Sequence, residues 1–527
     1  MQLLFLILLL CSVSFAKDRP LAHRSGVVEF GPEEFRGDYS PLDLTGDEVQ
    51  MNQDVTTNRQ NEITMASWIL NPRLVMGGSN DYRNSDASGG FYVSIDGGET
   101  FYDALVTRGP EDEFEAAGDP VAAIDRTGKL YATYIAFDRT TNDGGIYTQT
   151  SVDSGVTWSD PAVIIEHLDN SSVDFEDKPY TCADLSPSSP YVNTHYVTWT
   201  SFRGFENPIF VSRSTDGGAT YSEPLRISTS GDCQFSCPTT GPNGEVYVVF
   251  INYSNGNIKF DRSFDGGVTW GPDVTVSTIT DLWFAPNPCG SFRTPNYPVI
   301  SCDISGGPRN GWLYVSWVDL DSSLDPNVMF CRSTDQGVTW SEPVRVDDGP
   351  EDTWQWWHWM TVHPETGSIG FAWLDRRDDP AGCLYKPYAT ISFDGGETFA
   401  PSIPISDVLC DPRVTNFLGD YNGATFRHDR GFYYGWVDTR NDGGDAYSNW
   451  FSLDVPAPQD LVVTVVDDDA HLFWRPVDSS IYHVLYSFEP GGPYESLVGI
   501  TPDTFIVDTS AFTTFSKRFY VVKAVPE

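Results

Sequence analysis

Along this chain the hydrophobic pattern comes in short pieces, none with the length or period of a helix. Runs of seven to ten residues rich in aromatic and β-branched side chains lie at Met76 to Tyr82, Leu130 to Arg139, Tyr196 to Arg203, Val246 to Tyr253, Leu313 to Asp319 and Ile369 to Arg377. Clusters of Gly, Asp, Asn and Ser separate them, which predicts strands joined by tight turns. At Pro456-Ala457-Pro458 the pattern shifts. Shorter alternating strands follow, starting at Leu461, His471, Tyr482, Thr504 and Arg518; they predict a small β-sandwich over residues 456–527. Residues 1–16, MQLLFLILLLCSVSFA, form the one sustained apolar run. It is too short to cross a bilayer and ends in Ser14-Phe15-Ala16, so it reads as a secretory signal peptide.

The strands repeat. One eight-residue phrase occurs six times, at intervals of 49 to 70 residues: SIDGGETF at 94, SVDSGVTW at 151, STDGGATY at 214, SFDGGVTW at 263, STDQGVTW at 333 and SFDGGETF at 392. In each, the Asp (Asp96, Asp153, Asp216, Asp265, Asp335, Asp394) is suited to accept hydrogen bonds from turn N–H groups. The second Gly supplies a positive φ, and the closing aromatic opens the next strand. Identical turn chemistry in every repeat marks these aspartates as structural. A seventh unit, GDYNGATF from 419, FYYGWVDTR from 432 and DAYSNWFSLD from 445, lacks the phrase.

This phrase is the Asp box, and over residues 60–455 the chain resembles the sialidase superfamily and other Asp-box β-propellers. The resemblance implies an all-β fold, a propeller of four-stranded blades. Counting the last unit predicts seven blades, with the six of the sialidases as the alternative. A seventh blade without a box is explained if part of the N-terminal segment 17–59, for example Gly26 to Phe30, supplies its outer strand and closes the ring. In the C-terminal domain, the placements of Trp474, Tyr482 and Tyr520 resemble a fibronectin type III domain.

Composition narrows the function. A net charge of −42 argues against a nucleic-acid partner, and no second apolar stretch reaches the roughly 20 residues of a membrane-inserted helix. The protein is expected outside the cytoplasm, secreted or otherwise extracellular or periplasmic. Beyond Cys11 in the leader there are eight cysteines, Cys182, Cys233, Cys237, Cys289, Cys302, Cys331, Cys383 and Cys410. In an exported chain an even number predicts disulfides stapling the propeller, with the pairing open. No cofactor or catalytic metal is expected. The Asp-rich loops at Asn142-Asp143-Gly144-Gly145 and Asn441 to Asp445 leave structural calcium open without matching a known calcium loop. Gly-rich phosphate loops, Gly-x-Ser-x-Gly elbows and His-Glu-x-x-His are absent.

In an antiparallel blade, the loops between strands 2 and 3 lie opposite the Asp-box turns. That face carries Asp81-Tyr82-Arg83, Asp138-Arg139, Arg203, Asp319, Asp375-Arg376-Arg377 and Asp438-Thr439-Arg440. It also receives the strand 1 entries at Gly118-Asp119, Asp177-Lys178, Asn296-Tyr297, His358 and Asp420-Tyr421. The sialidase resemblance implies three arginines on an acidic sugar, a tyrosine nucleophile and an aspartate acid/base. Here Arg83, Arg377 and Arg440 match the arginines, Tyr421 the nucleophile, and Asp81 or Asp119 the acid/base. The family's Phe/Tyr-Arg-Ile-Pro phrase is missing; Asn71-Pro72-Arg73-Leu74 stands nearest. Arg376 and the cluster Trp356, Trp357 and Trp359 are candidate sugar contacts. Repeated inter-blade ion pairing for the Asp and Arg residues, and packing for the tryptophans, are the competing assignments. The expected partner is a glycan or glycoprotein. The activity is exo-α-sialidase-type hydrolysis if the arginine set converges, and otherwise glycan or protein binding without catalysis.

Overall fold

The computed structural model describes residues 46–141, 143–168, 174–280, 289, 293–415, 417–428, 431–441 and 443–452, and the C-terminal strands within 462–474, 480–487, 496–509 and 519–526 apart from 467–468 and 502–504. The expected leader, residues 1–16, and the expected closing strand at Gly26 to Phe30 lie outside the described residues. The chain divides into two compact units, of which the larger is Leu44–Ser452.

That unit is a seven-bladed propeller, which rules out the six-bladed alternative. Each blade is a four-stranded antiparallel sheet, and in the first six the strands run in sequence order from the axis outward. The inner strands are Gln60–Ser67, Ala116–Ile124, Asp174–Ala183, Cys233–Thr240, Val299–Cys302, Gln355–Val362 and Gly423–Phe426. The seventh blade is closed from the other end of the chain: Val49–Gln50 pairs with Asp445–Ser452 in the register Val49↔Ser448 and Gln50↔Tyr447. One sheet assembled from both ends of the unit removes the two open edges a linear array would present.

The strands form here because apolar side chains can be buried on both faces of every blade. Trp199, Trp317, Trp373 and Trp436 are fully buried on the second strands, each contributing about 2–3 kcal/mol of burial. The aromatic closing an Asp box reaches back to the preceding blade. Phe399 packs edge-on against Phe330 at 5.8 Å, and Trp340 against Phe260 at 5.3 Å.

The six box turns are superimposable in their bonding. The Asp Oδ1 accepts from the Ser hydroxyl and from the Thr N–H four residues on, and Oδ2 accepts the Thr hydroxyl, as at Ser94, Asp96 and Thr100 (2.7, 3.0 and 2.5 Å). The Thr157 and Thr220 hydroxyls, foremost among these donors, hold Asp153 and Asp216 down at about 2. The turns also join the blades. The carbonyl after each box aspartate accepts a hydrogen bond from the preceding blade: Gly97 from Arg427 and Tyr433, Ser154 from Tyr102, Gly217 from Lys129, Gly266 from Arg213, Gln336 from Arg262 and Gly395 from Arg332.

The cysteines do not staple the ring as expected. Cys289 and Cys383 form a disulfide, whereas Cys182, Cys233, Cys237, Cys302, Cys331 and Cys410 are free thiols, five of them buried. Most sit within strands, where they serve as small core residues.

In the second unit, Val462–Val466, Asp469–Phe473 and Phe505–Asp508 form one three-stranded sheet, and Ser480–Ser487, Ser496–Thr501 and Phe519–Pro526 another. A core of Ala470, Leu472, Trp474, Tyr482, Val484 and Val522 joins them. Among the described residues no helix is long and apolar enough to cross a membrane.

Candidate active site at the axial mouth

Five inner strands share one irregularity. Shortly after each enters the ring, its register against the second strand slips, between Asn61 and Thr64, Gly118 and Val121, Asp177 and Tyr180, Gln234 and Cys237, and Trp356 and Trp359. Within each bulge one non-glycine residue takes a left-handed φ: Glu62 (61°), Asp119 (48°), Lys178 (51°), Phe235 (56°) and Trp357 (47°). Pro120 and Pro179 follow two of them, where the ladder needs no N–H. Each left-handed residue costs about 1–2 kcal/mol. A bulge also turns aside a side chain that regular pleating would fix. This ring of bulges places Glu62, Asp119 and Lys178 from three consecutive blades in one cluster.

The cluster is tightly bonded. Asn80 Nδ2 donates to Glu62 Oε2 at 2.9 Å, and Asn80 Oδ1 accepts from the Asp119 N–H at 2.7 Å. The Lys178 N–H donates to Asp119 Oδ2 at 3.1 Å. Lys178 Nζ lies 2.7 Å from Asp420 Oδ2, 3.8 Å from Glu62 Oε1 and 4.0 Å from Asp119 Oδ2. Arg293 also clasps Asp420, with Nη2 at 2.8 Å from Oδ2 and Nε at 2.6 Å from Oδ1.

Such crowding separates the acidities of neighbouring carboxyls. Burial, reinforced by the charges on Asp119 and Asp420, pushes Glu62 well above the usual carboxylate range. Burial and Asp119 push Asp177 up to about 7. Asp119 goes the other way: against burial, the Lys178 ammonium and hydrogen bonds from Glu62, Asp177 and the Lys178 backbone hold it below its ordinary value. Within the pair the proton is therefore favoured on Glu62 and the charge on Asp119.

The cluster floors a cleft of about 510 Å³. Its walls carry Tyr82, Phe137, Phe175, Phe202 and Phe417, with Arg139 and Arg293 also lining it. Further along the axis, Tyr180, Tyr297, Trp359 and Tyr421 help line an apolar chamber of about 20 Å³, with Tyr180 stacked on Trp359 at 5.1 Å.

Of the residues singled out from sequence, Asp119 lines the cleft. Tyr421 lines the chamber, 3% exposed; among the described residues its hydroxyl finds no hydrogen-bond partner, and burial and nearby carboxylates raise its pKa well above the ordinary phenol value. The arginines have other partners. Arg83 bonds Asp81 at 2.6 Å and Asp103 at 2.5 Å, Arg377 bonds Asp375 and Asp348 at 2.7 Å each, and Arg440 bonds Asp438 at 2.8 Å together with Glu48. None of the three lines the cleft. Asp81 is completely buried and also accepts from Gln60 and Tyr92. Arg376 is buried, donating to the Pro380 and Gly382 carbonyls of its own loop. Trp356 and Trp357 are core residues, 1% exposed, leaving Trp359 as the partly open member of that cluster.

Glu62, Asn80 and Arg293 were not anticipated. Aligning Asn61-Glu62-Ile63 with Gly118-Asp119-Pro120 and Asp177-Lys178-Pro179 would have found Glu62, whereas Arg293 stands in a connection with no counterpart in the other repeats. The loops considered for calcium include Asn142 and Asp442, outside the described residues. Among the described residues, no group of three His, Cys, Asp or Glu side chains is arranged to hold a metal ion.

No protein-family model matches the chain, and no curated protein matches it. Solved structures do. A Hadza microbial sialidase is 16% identical, covering 71% of this chain and 72% of its own, with a TM-score of 0.42. An α-L-arabinanase of Penicillium chrysogenum is 12% identical, covering 78% and 98%, with a TM-score of 0.42. The NanB sialidase of Streptococcus pneumoniae, as its K499G mutant, is 11% identical, covering 63% and 67%, also at 0.42.

Proposed function

We propose that this protein acts on glycans as a glycoside hydrolase, working at the axial cleft with Glu62 as proton donor and Asp119 as the ionised carboxylate. Glycosidic cleavage needs one carboxylic acid to protonate the leaving oxygen and one carboxylate to support attack at the sugar carbon, about 5 Å or more apart, so in this reading the hydrogen bond from Glu62 to Asp119 opens as the sugar enters and the Glu62 proton passes to the leaving oxygen. The observation that carries the assignment is the opposite displacement of two neighbouring carboxyls, Glu62 upward and Asp119 downward, at the floor of one open cleft. Divergent acidities of this kind separate acid from base in hydrolytic sites. Lys178 is the positioning residue, because its ammonium favours the charged form of Asp119.

The exo-α-sialidase form of this reading would use Tyr421 as nucleophile and Arg83, Arg377 and Arg440 on a substrate carboxylate. The geometry favours the Glu62–Asp119 form, since each of those arginines is bound by aspartates and the Tyr421 hydroxyl is turned into a buried chamber. The leader and the Cys289–Cys383 disulfide support action outside the cytoplasm, with the C-terminal sheets as a fibronectin-like spacer.

The test is turnover of a panel of aryl glycosides by the wild type, Glu62→Gln and Asp119→Asn. Each substitution is expected to lower kcat by about 10²-fold or more while leaving the near-UV circular dichroism intact. Equal turnover by all three proteins would refute the assignment. The same arginine pairing also favours a second reading, a binding propeller without catalysis; it predicts glycan binding by a wild type that turns over no member of the panel.

A further inference from the structure

The charges lining the cleft carry the argument further. Three cationic side chains line it, Arg139, Lys178 and Arg293, among the described residues. All are engaged. Lys178 and Arg293 share Asp420, and Arg139 holds Asp86 through Nη2 at 2.5 Å and Nε at 2.9 Å, in the two-pronged geometry a guanidinium would otherwise offer a bound carboxylate. Against these three stand Asp119 and Asp177 in the lining and Asp86 and Asp420 as partners of the cations, with Glu62 beside them held toward its protonated form. The whole chain, at −42, repels an approaching anion as well.

We infer that the cleft takes an uncharged sugar residue, and that glycans bearing carboxylate groups are excluded from it. This rests on the glycan reading above and specifies its substrate class. A carboxylate arriving here must displace a protein carboxylate from a guanidinium or ammonium, because each of the three cations already holds one. A neutral sugar meets no such opposition. Its hydroxyls can donate to Asp119 and Asp177, and its C–H faces can lie on Phe137, Phe175, Phe202 or Phe417.

The test uses the full-length protein in two arms. The first measures turnover of 4-methylumbelliferyl glycosides: β-D-galactoside, β-D-glucoside, α-L-arabinofuranoside, N-acetyl-α-neuraminide and β-D-glucuronide. At least one neutral substrate is expected to exceed both acidic ones about 100-fold in kcat/KM. The second arm measures retardation in native gels cast with neutral polysaccharide (arabinan, galactan) or acidic polysaccharide (polygalacturonate, polysialic acid), with retardation expected in the neutral gels. Preference for acidic ligands in either arm overturns the inference. Retardation by neutral polysaccharide without any turnover sinks the hydrolase reading and leaves the substrate class standing, and no response in either arm overturns both.

Asp86→Asn supplies a gain-of-binding control. It frees Arg139 at the surface, where that residue is about half exposed, and is expected to strengthen polygalacturonate retardation at least threefold while neutral binding stays constant. Unchanged binding of polygalacturonate by this variant would show that the Asp86 pairing does not exclude anions.

Discussion

Replacing Asp177 by Asn should stabilise the propeller at neutral pH, a result contrary to the usual effect of removing a charge from a bonded cluster. Burial and the Asp119 carboxylate move Asp177 from 3.8 to about 7. Below pH 3.8 the group is neutral whether the chain is folded or not. Between 3.8 and 7 the folded protein retains a proton that the unfolded chain has released, so stability falls as pH rises, and above about 7 the loss is complete. At about 1.4 kcal/mol per tenfold change in acidity the loss reaches about 4 kcal/mol. Because Asp177 is partly open to the cleft, solvent screening lowers the expectation to about 2–4 kcal/mol. Asn preserves the shape of the protonated side chain and a donor toward Asp119, but has nothing to ionise. For a propeller of about 400 residues this corresponds to a rise in Tm of about 2–5 °C. Thermal unfolding of both proteins should be followed at pH 4 and pH 8 in one salt concentration. Their midpoints should coincide at pH 4, with Asp177→Asn higher at pH 8. Parallel pH dependence, or a variant that melts below the wild type at pH 8, would refute the charge assignment in the cluster.

Lys178→Met removes the ammonium that favours ionised Asp119 and leaves Asp420 on Arg293; the acid limb of the kcat profile is expected to move up by about 1–2 pH units, and an unmoved limb would remove Lys178 from the mechanism. Tyr421→Phe deletes a hydroxyl that finds no hydrogen-bond partner among the described residues, so turnover should stay within about threefold and stability within about 1 kcal/mol of wild type; a hundredfold loss in steady-state rate would return the nucleophile role to Tyr421. Arg332→Ala removes the 2.9 Å bond to Gly395 and the pair with Glu397, with an expected cost of about 1–2 kcal/mol in denaturant unfolding. No change there would mean that the bonds between blades at the box turns contribute little to holding the ring together.

Some of the site was legible locally, including the ion pairing weighed above as the competing assignment for the arginines. The spacing in Asp81-Tyr82-Arg83, Asp375-Arg376-Arg377 and Asp438-Thr439-Arg440 sets each Asp two residues before its Arg, on one side of a strand end. Self-pairing was therefore written into the same text that suggested a converging triad. The strand entries at Asp119, Asp177-Lys178 and Asp420 were assigned correctly to the mouth. What they would do there was not visible, because the left-handed bulges that turn Asp119 and Lys178 toward Glu62 arise where the pairing register slips, and the cluster joins residues distant in sequence.

The amino-acid sequence by itself determined the blade and its repetition. Each Asp box is closed by side chains within a few residues of one another, so its geometry travels with the phrase, and repetition of the phrase dictates a ring. Closure of the last blade by part of the N-terminal segment was an expectation from sequence; only the tertiary structure decided that Val49–Gln50 does it, on Asp445–Ser452, and which carboxyls share protons. Both depend on distances between segments far apart in the chain. The raised pKa of Glu62 in particular is set by burial and by the charges of Lys178, Asp119 and Asp420 from three other blades, and exists only once those blades surround a common axis.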